Sequence, residues 1–138
     1  MVSYLTFISF MQHQLTQEDM KNGFWLPDPE EHDYPAAADY LGLLFSPDKV
    51  KTIVEQLQQE TTIPKKAKDI LRASGLPLLE KDNIHVKDNL KKADKGEQLS
   101  PVLLVRGERL IIADGYHRLC AIYYLSEDLV IPCRITSL

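Results

Sequence analysis

The sequence predicts an α+β protein in which a helical N-terminal part precedes a small mixed sheet packed with helices. Three observations lead there. Val50, Ile53, Val54 and Leu57 recur at i, i+3, i+4 and i+7, the apolar stripe of an amphipathic helix. Beyond residue 76 the apolar runs shorten to strand length, at 100–105, 109–113 and 129–135. Between the last two, Leu119, Ile122 and Tyr123 return to helical spacing. The chain of 138 residues suits one domain, 1–138, with 1–35 as an N-terminal arm and proline-rich connector, 36–75 as the helical part and 76–138 as the sheet-bearing part.

The elements follow in order. Tyr4 to Met11 is apolar for eight residues, too short to span a membrane and without the charged flank or cleavage site of a signal peptide. It reads as a strand or an apolar arm that packs on the body or a partner, unless the true start lies downstream. Phe24-Trp25 reads as a hydrophobic anchor. Pro27, Pro29 and Pro35 among Asp28, Glu30, Glu31 and Asp33 predict an extended connector. A short helix is expected from Ala36 to Phe45. Ser46-Pro47 then supplies an N-cap and a first-turn proline for the helix that carries the apolar stripe. Pro64 is expected to open a third helix, Lys65 to Ser74, stopped by Gly75, with Lys65, Lys66 and Lys68 on its solvated face.

Leu76 to Leu79 reads as a strand, and Asn83 to Lys95 as a helix or helical turns. Ser100 to Val105 and Arg109 to Ala113 flank Arg106-Gly107-Glu108 as a hairpin. Both runs are almost continuously apolar, so the sheet should be covered on both faces. Leu129 to Ile135 closes the pattern, and Pro132 argues for an edge strand or a bulge.

Composition narrows the function classes. Residues 1–80 carry a net charge of −5 and residues 81–138 a net +1. An acidic first half disfavours a grip on nucleic acid, which needs clustered cations. Cys120 and Cys133 sit in apolar elements without metal-ligand spacing, the pattern of buried, reduced thiols in a cytoplasmic protein. His13, His32 and His85 are scattered, so no zinc site is expected. No phosphate-binding Gly-x-x-x-x-Gly-Lys loop, nucleophile elbow or His-Glu-x-x-His occurs.

The distinctive stretch is Asp114-Gly115-Tyr116-His117-Arg118, where an apolar strand runs into a helix. Unpaired N–H groups and the helix dipole make such a terminus attractive to anions, and arginine adds a planar fork of donors. Each residue also has a plainer reading. Gly115 eases the turn or allows close approach to phosphate. Asp114 is an N-cap, a magnesium ligand or a catalytic carboxylate. His117 is a packed surface histidine, or a phosphate donor and proton carrier. Arg118 holds an anion, or pairs with Asp114 and leaves an anion little room. Tyr116 is an aromatic platform, a core plug or a hydroxyl donor.

The stretch Ile111-Ile112-Ala113-Asp114-Gly115-Tyr116-His117-Arg118-Leu119-Cys120-Ala121, with Leu99-Ser100-Pro101-Val102-Leu103-Leu104-Val105 before it and Ile131-Pro132-Cys133-Arg134-Ile135 after it, resembles the ParB/sulfiredoxin superfamily over residues 76–135. The resemblance implies that superfamily's fold and a nucleotide or phosphate site at the helix from Gly115, with ATP, ADP or another nucleotide and magnesium as the cofactors to expect. Tyr116 stands where sulfiredoxins carry their reactive cysteine, and a phenol with a pKa near 10 replaces a thiolate poorly, so sulfiredoxin activity is not expected. Cys120 lies one turn further on and would have to move about 5–6 Å. Chromosome-partitioning members have Gly-Glu-Arg-Arg at this turn and a helix-turn-helix domain after it; after Leu138 none is expected. The wording is closer to the Asp-Gly-His-His-Arg of ParB-like free-serine kinases, departing at Tyr116. Of Glu97, Asp94 and Asp88, which precede the hairpin, none matches their catalytic glutamate by motif.

The resemblance therefore implies a small phosphorylated ligand or nucleotide held by the Gly115 and Tyr116 N–H groups. His117 and Arg118 would balance its charge, and Asp114 would orient magnesium or an attacking hydroxyl in phosphoryl transfer or nucleotide hydrolysis. On that basis Asp114 and His117 are the candidate catalytic residues. The alternative is a non-catalytic protein-interaction or regulatory module that keeps the fold and binds a protein partner or a second copy. A DNA-binding role ranks last on charge, and no membrane role is expected.

Overall fold

A computed structural model describes residues 25–138; the apolar run 4–11, His13 and Phe24 lie outside the described residues. The elements are α1 (Asp33–Leu41), α2 (Pro47–Gln59), β1 (Ile63–Lys66), α3 (Ala67–Ser74), α4 (Ile84–Asp94), β2 (Val102–Arg106), β3 (Leu110–Asp114), α5 (Tyr116–Leu125) and β4 (Val130–Ser137). This is a mixed α+β arrangement. Its four strands run in the order β1-β4-β2-β3, with β4 parallel to β2 and the two outer pairs antiparallel. Among the described residues no helix is long and apolar enough to cross a membrane.

Both faces of the sheet are covered, as the apolar runs predict. Val102 and Leu104 face Leu119 and Ile122 of α5, Ile70 of α3 and the buried Trp25. Leu103 and Val105 face the other way, onto Ala37 and Leu41 of α1 and Ile53 and Leu57 of α2. Each such aliphatic side chain contributes roughly 1.5–3 kcal/mol when fully buried. Ser46 caps α2 by accepting from the Lys49 N–H at 3.4 Å, and Val50, Ile53 and Leu57 form its buried stripe.

Four expectations need correction. The first helix starts at Asp33 rather than Ala36, because Pro35 falls in the first turn, where no N–H is required of it. The helical part also contributes a strand: Ile63 to Lys66 pairs with β4, so the third helix begins at Ala67 and not at Lys65. Gly75 ends that helix at φ +68°, as expected, and Lys65 and Lys66 are exposed while Lys68 pairs with Asp128 at 2.8 Å. Leu76 to Leu79 is irregular backbone rather than a strand. Pro132 does not lie on an edge: β4 is interior, Pro132 stands opposite Pro64, and the pairing with β2 begins only at Cys133. Two prolines face one another without loss only where neither strand is asked for an N–H.

Arg134, in the middle of β4, is buried and ties the first half of the chain to the sheet. Its Nη1 donates to the carbonyls of Leu57 and Gln58 at 3.2 and 2.9 Å, closing the C-terminal end of α2. Further donations reach Tyr34 Oη at 3.1 Å, Thr62 Oγ1 at 3.2 Å and Asp28 Oδ1 at 2.8 Å. One guanidinium thus holds α1, α2, the β1 approach and the connector.

Candidate functional site

The Asp114–Arg118 turn is shaped by a β-bulge and a glycine. The β2–β3 ladder steps from Leu104↔Ile112 to Leu103↔Asp114, leaving Ala113 as the extra residue just before Asp114. Gly115 then adopts φ +106°, a region closed to residues with a Cβ. A Cβ there would also lie 2.5 Å from Val102 Cγ1 and 2.9 Å from Arg118 Nη2. The glycine therefore lets Val102 and the guanidinium close over the turn.

Asp114 and Arg118 are brought together. Arg118 Nη2 donates to Asp114 Oδ2 at 3.0 Å and to the Pro101 carbonyl at 3.2 Å, with both side chains only 16% exposed. The Arg118 Nε is buried and has no partner among the described residues. Burial pushes the Asp114 carboxyl up despite Arg118, and a hydrogen bond with the Asp33 carboxyl pushes the same way. Asp33 in α1 is itself buried, accepting from the Glu30 N–H at 2.9 Å.

A folded-state pKa above the unfolded value means that the contribution of Asp114 is fully present below the unfolded value. It is lost as the pH rises through the folded one. Asp114→Asn should flatten that falling limb of the stability–pH profile, read by urea unfolding across the acid range. An unchanged slope would contradict the raised pKa of Asp114.

Tyr116 and His117 leave the turn in different directions. The Tyr116 hydroxyl donates to the Pro77 carbonyl, so of its three readings it is a hydroxyl donor. Two more residues of the same helical face follow. Tyr124 Oη donates to the Leu79 carbonyl at 2.6 Å, and the Leu79 N–H reaches Cys120. Tyr116, Cys120 and Tyr124, at i, i+4 and i+8, hold the irregular 76–79 segment against α5. Burial raises the Cys120 thiol above its ordinary range, the opposite of what a reactive thiolate needs.

His117 meets His85, which sequence reasoning set aside. Their ring centres are 4.8 Å apart at 62°, joining the first turns of α5 and α4. Burial first, then His85 and Arg118, lower the His117 pKa. For a base with a depressed folded pKa, the stabilisation is present above the unfolded value of about 6.5 and lost as the pH falls through the folded one. His85→Gln should move the His117 titration, followed by its ring-proton NMR shift, back toward the ordinary range; no movement would show that the rings do not interact. No spacing in the sequence pairs them; each is the second residue of its helix, and the packing of α4 against α5 brings the two first turns together.

The α5 terminus is open. Asn83 caps α4 by accepting from the His85 and Val86 N–H groups at 3.0 and 3.2 Å, whereas Gly115 offers α5 no side chain, and the first helical bond is Leu119 N–H to the Gly115 carbonyl at 2.9 Å. His32 lies with Glu30 and Asp33 at the start of α1, its Nε2 3.2 and 3.5 Å from their carboxylate oxygens.

No family model, curated protein or solved structure matches this chain. The reading of the turn therefore rests on its own chemistry.

Proposed function

We propose that this chain is a ParB/sulfiredoxin-like protein that binds a phosphate-bearing small ligand, such as a nucleotide, at the N-terminus of α5. The observation that carries the reading is the uncapped first turn beside His117: N–H groups without a side-chain acceptor, next to an imidazole able to donate to an anion. Gly115, Tyr116 and His117 would hold phosphate oxygens. In this reading Arg118 acts mainly as a strut, because its fork is turned to Asp114 and Pro101. Asp114 is likewise held by Arg118 and Asp33, so orienting magnesium or an attacking hydroxyl would require it to change partners. Binding is thus better supported than phosphoryl transfer or hydrolysis. Thermal-shift screening against ATP and ADP with magnesium and against pyrophosphate tests this: the wild type should gain stability, and His117→Ala should weaken the effect by about tenfold in ligand concentration. Absence of any shift in the wild type would count against the site.

A second reading, the interaction module, is favoured by a furrow on the helices that cover the opposite face of the sheet. Cavities of about 680, 470 and 860 Å³ run on from one another, the first two sharing Ala38 and Val54 between α1 and α2, the last two sharing Phe45. Leu43, 82% exposed, and Leu44 stand near its end. Light scattering of the wild type and of Leu43→Asp/Leu44→Asp would detect self-association through this surface.

A further inference from the structure

We propose that His85 and His117 form an open two-histidine site for a divalent transition-metal ion of the zinc or copper class, bridging the first turns of α4 and α5. The spacing fits. With a metal about 2.1 Å from each ring nitrogen and each ring centre about 1.1 Å beyond, two imidazoles at a tetrahedral angle have centres about 5 Å apart. The observed separation is 4.8 Å, in an edge-on contact at 62°, so the rings would turn to face one ion.

The backbones that carry the rings are fixed. Asn83 caps the turn that holds His85, and the Tyr116 tether to Pro77 together with the packed Gly115 anchors the turn that holds His117. His85 is exposed, so its ring can turn a nitrogen toward a shared ion. The nearby Arg118 cation is balanced by Asp114. Neutral imidazoles select borderline ions such as zinc and copper over magnesium or calcium. The remaining coordination positions would take water or an oxygen of an anionic ligand. The site shares His117 with the phosphate reading but does not depend on it.

Calorimetric titration of the full chain with zinc chloride in phosphate-free buffer tests the proposal. The expected result is one ion per chain at micromolar affinity, weakened at least about tenfold by His85→Gln and by His117→Gln and unchanged by His32→Gln. Copper bound at the site should show two nitrogen ligands by electron paramagnetic resonance. Absence of micromolar binding, loss with His32→Gln alone, or binding indifferent to both His85→Gln and His117→Gln would overturn it. His85 is exposed on the first turn of α4, so His85→Gln keeps the fold and decides the question even where His117→Gln destabilises the protein. Because no phosphate is present, failure here leaves the phosphate reading to its own thermal-shift test.

Discussion

Arg134→Met should lower the stability of this protein by roughly 3–5 kcal/mol, enough to unfold a marginal domain near physiological temperature. Methionine keeps the length of the aliphatic stem and removes every donor. The Leu57 and Gln58 carbonyls would then end α2 without a partner, and the Tyr34, Thr62 and Asp28 contacts would be lost together. Lysine in its place should recover only part of the loss, since an ammonium cannot reproduce the planar fork. Chemical unfolding of the three proteins measures this. A loss below about 1 kcal/mol for Arg134→Met would mean that water serves the α2 carbonyls as well as the guanidinium does.

Gly115→Ala should cost about 2–4 kcal/mol, from backbone strain at φ +106° and from a Cβ placed 2.5 Å from Val102 Cγ1. Gly75→Ala provides the contrast. Its φ of +68° is a milder left-handed conformation, and the atom in the way is the tip of the flexible Arg109 side chain, so about 1 kcal/mol is expected. Val102→Ala should rescue part of the Gly115→Ala loss by removing the nearest contact, to Val102 Cγ1, while leaving the strain and the contact with Arg118. Equal losses at the two glycines would show that the turn tolerates a side chain and is not closed over by Val102 and Arg118.

Much of this architecture was legible because local signals agreed with the tertiary outcome. Ser46-Pro47 and the stripe from Val50 to Leu57 locate α2, and the alternate residues of β2 pack into two different cores, as an apolar run covered on both faces requires. The failures have physical causes. Ile63-Pro64-Lys65-Lys66 carries almost no strand signal of its own; it is a strand because β4 supplies a partner whose proline faces Pro64. Leu76 to Leu79 looked like a strand because it is apolar, yet its carbonyls are taken by Tyr116 and Tyr124 rather than by a neighbouring strand. Arg134 was the overlooked signal, since a lone cation inside a buried strand has to find several acceptors.

The candidate site was legible as a motif and not as a geometry. The Asp114–Arg118 pair was foreseen as one alternative, and so was the hydroxyl of Tyr116 as a donor. Neither the Asp33 carboxyl beside Asp114 nor His85 beside His117 could be read from spacing, because both come from helices distant in sequence. Packing of α1 against β3 and of α4 against α5 creates them.

The central claim is that the open first turn of α5 receives phosphate, and amide-resolved NMR during a pyrophosphate titration tests it most directly. The predicted result is a saturable shift concentrated on the Gly115, Tyr116 and His117 amides, with the Arg134 hub unmoved. Shifts absent from those three amides at millimolar pyrophosphate, or spread over the α1–α2 furrow instead, would contradict it.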